Sequence, residues 1–154
     1  MPKHQIIKIM TSRGIAGLLL LFSTTYSGGQ TSTSVPCLSY EPVVVRIAGT
    51  LGRKTVPGPP NYESIRNGDR PETYWFVKLS KPICVGEDEK EPDLNPAKKD
   101  VGSIQLVLAP DAYAAYKELV GKRVVASGTL FGAITAHHHT PVLLTVRTLS
   151  TANP

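Results

Sequence analysis

Residues 121–146 decide the fold. Gly121 is followed by Lys122-Arg123-Val124-Val125-Ala126-Ser127-Gly128-Thr129-Leu130, then by a connection ending in His137-His138-His139-Thr140, then by Pro141-Val142-Leu143-Leu144-Thr145-Val146. Both flanks are rich in β-branched and apolar residues and begin at Gly or Pro, so each reads as a strand. The connection gathers three of the four histidines of the chain. Neutral imidazole is a common metal ligand and a common proton carrier, which makes this connection the first place to look for a site.

Working outward, the preceding segment Ala109 to Gly121 predicts a helix, with Pro110 in the first turn, Asp111 at the positive end of the dipole and Gly121 at the C-terminal cap. Tyr113, Tyr116 and Val120 share a stripe, with Ala112, Ala115 and Leu119 beside it, which is expected to pack on the core. Three further strands precede the helix: Pro42 to Leu51, with Val43, Val45 and Ile47 alternating; Thr73 to Leu79; and Ser103 to Leu108. Gly49 is expected at a bulge or bend. Three strands, a helix and two strands is the element order of a five-stranded OB-like Greek-key barrel, so the expected fold class is all-β with one short helix. An open antiparallel sandwich is the alternative.

At the N-terminus Lys3, Lys8 and Arg13 precede the nine-residue apolar run Gly14 to Phe22 and a small, polar stretch to Ser34. This is the layout of a secretory signal peptide, and the run is well short of the roughly 20 residues of a membrane-spanning helix. The expected organisation is a signal peptide over 1–27, a flexible segment over 28–36, one domain over 37–150 and a disordered tail over 151–154. Location is then periplasmic or secreted, without stable membrane insertion after cleavage. Removing three of the 17 Lys and Arg leaves 14 against 12 Asp and Glu, a formal +2. The basic balance belongs largely to the leader and gives no support to nucleic-acid binding.

Cys37 and Cys84 are the two cysteines, and in an oxidising compartment the simplest expectation is a single disulfide between them. No Cys-x-x-Cys redox motif is present.

Two long connections remain. Gly52 to Glu72 is rich in Pro and Gly and carries Arg53, Lys54, Arg66 and Arg70; Gly86 to Gly102 carries Glu87, Asp88, Glu89, Glu91 and Asp93. The acidic run lacks the spaced ligands and glycine of an EF-hand and is expected to be mobile and solvated.

Tyr74-Trp75-Phe76-Val77-Lys78-Leu79, Lys81-Pro82-Ile83-Cys84-Val85, Ser103-Ile104-Gln105-Leu106, Val120-Gly121-Lys122-Arg123-Val124, Gly128-Thr129-Leu130-Phe131 and His137-His138-His139-Thr140-Pro141-Val142-Leu143-Leu144 together resemble the bacterial exported domain of unknown function 4431. The resemblance runs from Cys37 to about Val146. It implies export and a small β fold, and no activity. A loose analogy to lysozyme-inhibitor-like relatives adds an inhibitor or immunity protein as one alternative.

In barrels of this type ligands lie across strands two and three, between the β1–β2 and β4–β5 connections. That places Arg53, Arg66, Arg70, Tyr74, Trp75 and His138 as candidate ligand-binding residues. Alternation sends Trp75 to the face opposite Tyr74 and Phe76, so one set is core and the other exposed. His137 and His139 point to one side on an extended backbone and His138 to the other, so a two-histidine comb for Zn or Cu is possible, completed by a carboxylate expected from the Glu87 to Asp93 loop or by water. Catalysis is not expected: Ser103 and Ser127 lie in strands, no Gly-x-Ser-x-Gly is present, and no spacing pairs His138 with Asp111 or Glu118. The reading is a non-enzymatic domain that binds a protein or glycan of the cell envelope, without cofactor. A metal-binding envelope protein is the alternative.

Overall fold

The computed structural model describes residues 36–152; the expected signal peptide and all but the last residue of the expected flexible segment lie outside them. Five strands are present: β1 (Val44–Pro57), β2 (Pro71–Val85), β3 (Lys98–Val107), β4 (Arg123–Gly132) and β5 (Val142–Thr151). A short helix, α1 (Ala112–Tyr116), joins β3 to β4. The strands close into a barrel in the order β1-β2-β3-β5-β4, with β4 back on β1. Of the pairings between these five strands, that of β3 with β5 is parallel, from Gln105 opposite Leu143 to Val107 opposite Thr145. This is the expected OB-like ring with a single helix, and the sandwich is set aside because no strand of a closed ring is left as an edge along its paired length.

Alternation builds the interior. On β1 Val45, Ile47 and Leu51 point inward, while Val43, expected with them, precedes the strand and is 49 % exposed. Leu51, Val77, Ile104, Val124, Leu130, Val142 and Leu144 are fully buried in one cluster. Each such side chain contributes about 1.5–3 kcal/mol through the apolar area it removes from water. Gly49 marks where β1 changes partner: residues 44–50 pair with β4 and residues 49–57 with β2. A Cβ there would run into the backbone carbonyl of Lys78. Close approach of two backbones, rather than a bulge, is what the glycine serves.

The strands are longer than alternation alone indicates. β1 continues through Pro57 because Pro71 to Val77 of β2 supplies its hydrogen-bonding partners, and Thr55 and Thr73 bond to each other through their hydroxyls at 2.7 Å. β2 runs on to Val85 and pairs with the start of β3 after a register shift between Lys78 and Ile83. At the C-terminus Thr151 pairs with Val124 and the Ala152 N–H donates to the Arg123 carbonyl at 2.9 Å, so these two residues, expected in a disordered tail, belong to the barrel.

The helix is shorter than expected. Five α residues pass into a 3₁₀ turn at Lys117–Leu119, and Asp111 makes no side-chain cap. Tyr116, Leu119, Val120 and Ala112 pack on the core, whereas Ala115 is exposed and Tyr113 is half out, its ring meeting the Trp75 indole edge-on at 5.6 Å. Gly121 has φ 84°, and its N–H donates to the Leu51 carbonyl at 2.8 Å, tying the turn to β1.

Cys37 and Cys84 form the expected disulfide, with Cα atoms 4.7 Å apart. The tether is reinforced by the backbone: Leu38 donates to the Cys84 carbonyl at 2.9 Å and accepts from Gly86 at 2.8 Å. The acidic connection is anchored to the barrel just beyond the charged run. Buried Asn95 accepts the Gly132 N–H at 2.9 Å, and Tyr40 donates its hydroxyl to the Pro96 carbonyl at 2.9 Å. Its Glu87 and Glu89 to Asp93 side chains stay exposed, as charged groups without partners should.

Candidate functional site

Strand alternation resolves the aromatic question. Trp75 is 7 % exposed and belongs to the core, so it is withdrawn as a ligand-facing residue. Glu72, Tyr74 and Phe76 form the outward row of β2, all half-buried. Directly opposed residues of an antiparallel pair share a face. Val56, Lys54 and Gly52 of β1 therefore lie beside Glu72, Tyr74 and Phe76, and Gln105 of β3 lies beside Phe76 from the other side.

The histidine connection folds over this row and is fastened by Gln105, which is 8 % exposed. Its amide nitrogen donates to the His137 carbonyl at 3.0 Å and its amide oxygen accepts the His139 N–H at 2.7 Å. Thr140, also buried, accepts the Gln105 backbone N–H at 2.9 Å and donates to the Val142 carbonyl at 2.7 Å. Four hydrogen bonds thus seat the loop where β5 begins.

His137 and His139 turn toward Glu72, each onto a different carboxylate oxygen. His137 Nδ1 lies 2.8 Å from Oε2, and His139 Nε2 lies 3.5 Å from Oε1. That Nε2 is buried and has no hydrogen-bond partner. The His139 ring stacks on Tyr74, centroids 4.6 Å apart at 30°, and Tyr74 leans on Phe76 at 5.8 Å. The carboxylate that meets the imidazoles is Glu72 of β2, not one from the Glu87 to Asp93 loop.

The β1–β2 loop closes the other end. Buried Asp69 accepts backbone N–H bonds from Ser64 at 2.7 Å, Asn61 at 2.9 Å and Glu63 at 2.8 Å. The bond from Ser64, then that from Asn61, holds its carboxyl below the usual range; burial opposes this, and Glu63 adds to it. Within this clamp Tyr62 sits at φ 60°, a left-handed conformation a tyrosine adopts only when its surroundings impose it. Its hydroxyl reaches His137 Nε2 at 3.1 Å. Glu72, His137 and Tyr62 therefore form a chain that crosses from β2 through one loop to the other.

His138 takes no part in it. Its Nδ1 accepts the Ile134 N–H at 2.9 Å, and its ring packs edge-on against Phe131 at 5.6 Å. Burial lowers its pKa below the usual histidine value, and the neighbouring His137 and His139 add to the effect. This bond needs an unprotonated Nδ1, so His138 shapes its own loop rather than the ligand-facing row.

None of the three candidate arginines is ion-paired with Glu72. Arg53 is opposite Trp75 and so on the other face of β1 from Lys54. Arg66 is exposed in a 3₁₀ turn at Ile65–Asn67, and Arg70 is exposed and engaged through its backbone with Pro59 and Gly58. Among the described residues no Lys or Arg is ion-paired with a carboxylate, and the contacts of Glu72 with the two imidazoles are ionic only when an imidazole carries a proton. Also among them, no three His, Cys, Asp or Glu side chains are disposed to hold a metal ion.

Sequence reading missed Tyr62, Asp69, Glu72 and Gln105. Glu72 was within reach, since it lies two residues before Tyr74 and period-two alternation places it on the same face. Gln105, a polar residue between Ile104 and Leu106, was a weaker signal, and nothing local distinguishes Tyr62.

The molecule is defined by its fold as a small OB-like barrel with a polar and aromatic cluster held across its outer face by two loops. Residues 103–150, from β3 through the histidine loop to β5, match the family model described as Domain of unknown function (DUF4431). The wider resemblance drawn from Cys37 onward is matched in this C-terminal part. No curated protein and no solved structure matches the chain.

Proposed function

We propose that this protein is an exported, non-enzymatic binding domain of the bacterial cell envelope, periplasmic or secreted, that takes a protein or glycan on the outer face of β1 and β2. One observation carries the reading: the Glu72–His137–Tyr62 chain and the His139–Tyr74 stack bring two separate loops onto one sheet face. Side chains from several elements held in place by buried clamps are what a recognition surface requires. Export is supported by the basic, apolar and small-residue order of positions 3–34, and an oxidising compartment by the Cys37–Cys84 bond.

The test is capture. Immobilised, disulfide-bonded protein incubated with envelope extract should retain a defined protein or glycan, and a Tyr74→Ala, His137→Ala variant should lose it. Equal retention by the variant would remove this face from the reading. Osmotic-shock fractionation of cells expressing the chain tests location, with the cleaved form expected outside the cytoplasm.

A metal-binding role is the second reading, favoured by one observation: both imidazoles face a single carboxylate, and the buried His139 Nε2 lacks a hydrogen-bond partner. Calorimetric titration with Zn²⁺ and Cu²⁺ separates the two, since a metal site should bind well below about 1 mM.

A further inference from the structure

We infer that this protein has a second docking surface, between the β2–β3 connection and the start of the β4–β5 loop, and that its occupant is a basic protein. An aliphatic side chain of that partner seats on Leu94, Phe131 and Ile134, and flanking Lys or Arg side chains face Glu41 and Glu91. The surface shares no residue with the Glu72–His137–Tyr62 chain, so it stands apart from the binding face proposed above.

The apolar centre is the first observation. Ile134 is 61 % exposed and Leu94 48 %, and both line one hollow with Phe131, Glu41 and Glu91. That hollow is about 100 Å³, room for one side chain and well below the roughly 300 Å³ at which small-ligand pockets begin. Its aliphatic walls are held from behind by polar groups. Buried Asn95 accepts the Gly132 N–H at 2.9 Å, and a Cβ at Gly132 would run into the Leu94 carbonyl, so the two backbones touch there. His138 packs its ring on Phe131 and accepts the Ile134 N–H on Nδ1 at 2.9 Å. Aliphatic side chains fixed in place yet left in water are what the core of an interface offers, because little ordering remains to oppose binding.

Charge selects the partner. Glu41 is common to this hollow and to two beside it, which add Glu87, Asp88, Glu89 and the exposed Val43. Lys90 and Arg147 line the same ground, so five carboxylates stand against two cations, and none of these described residues is ion-paired with another. The backbone positions the acidic rim. Glu41 donates its N–H to the Leu130 carbonyl at 2.9 Å, and the Asp88 N–H closes the acidic loop on the Asn95 carbonyl at 3.0 Å. A net negative rim around an apolar centre attracts a cationic protein and repels acidic partners and anionic lipid headgroups.

The experiment is an amide chemical-shift titration of the disulfide-bonded protein with three short peptides of equal length. One has lysines flanking a central leucine, one lysines flanking a central serine, and one glutamates flanking a central leucine. The lysine–leucine peptide should shift Leu94, Gly132 and Ile134 with a Kd of about 1 mM or tighter. Ile134→Ser, a change at an exposed side chain, should weaken it about tenfold while the rest of the spectrum stays that of the folded protein. Glu41→Gln with Glu91→Gln should remove most of the salt dependence of binding between about 0.05 M and about 0.5 M NaCl. The inference falls if the lysine–serine peptide binds as tightly, which leaves charge alone, or if the glutamate–leucine peptide does, which leaves unselective apolar contact. It falls also if the shifts gather on Tyr74 and His139 instead, or if nothing binds at about 10 mM peptide. Sedimentation that shows the chain pairing with itself, abolished by Ile134→Ser, would make the occupant a second copy and overturn the basic partner. Ile134→Ser should leave capture by the outer face of β1 and β2 intact, so the two readings fail separately.

Discussion

Glu72 and His137 are 65 positions apart in sequence, yet their Oε2 and Nδ1 atoms meet at 2.8 Å on the outside of the barrel. The pair joins β2 to the β4–β5 loop, and the Tyr62 hydroxyl on the far nitrogen of the same imidazole extends it to the β1–β2 loop. With His137 about half exposed and Glu72 less so, the contact organises loops more than it stabilises the fold. Glu72→Ala should therefore lower unfolding free energy by less than about 1 kcal/mol in a urea titration. Amide exchange at His137 to His139 should accelerate in the same variant.

Gln105 should behave differently. Its side chain closes two hydrogen bonds to the histidine loop from a buried position, and its removal strands the His137 carbonyl and the His139 N–H. Gln105→Ala is expected to destabilise the protein by about 1–3 kcal/mol, measured by chemical denaturation.

His138 supplies a pH dependence of defined sign. Its folded-state pKa is lowered from the ordinary 6.5, chiefly by burial, so the unfolded chain takes up the proton first. Its contribution is complete above the ordinary value, is lost as pH falls through it, and levels off below the folded value. Replacing His138 by Gln should flatten that component in unfolding free energies measured between pH 8 and pH 5.

Asp69 acts lower on the scale. Its carboxyl is held below the usual range first by the Ser64 N–H, so its contribution is present above the unfolded-state pKa and disappears as pH falls through the folded one. Asp69→Ala should release the Asn61 to Ser64 turn, which NMR would register as loss of the left-handed Tyr62 geometry and of the Tyr62–His137 contact.

The disulfide closes a loop between residues 47 apart. A Cys37→Ser, Cys84→Ser variant should lose about 4 kcal/mol by the chain-entropy argument, with a corresponding drop in thermal midpoint.

What the sequence by itself determined is the part governed by local rules. Alternation at Val45 and Ile47 and at Ile104 and Leu106, where burial of one sheet face imposes a period of two, together with the β-branched, aromatic and apolar runs at Thr73 to Leu79, Lys122 to Leu130 and Pro141 to Val146, named all five strands. The order of elements then admitted the closed OB-like ring, and two cysteines left one pairing. The site escaped where it depends on register and closure. Which carboxylate reaches the histidines is set by Val56 lying opposite Glu72 and by Gln105 seating the loop, and no local period records either contact. Strand ends were hidden for the same reason: Arg53 to Pro57 are strand only because β2 supplies their hydrogen bonds. Trp75 and Tyr74 show the division most plainly. Period two placed them on opposite faces, and only the closed barrel, by enclosing one face in apolar side chains and leaving the other to the loops, decided which ring was core and which could meet a ligand.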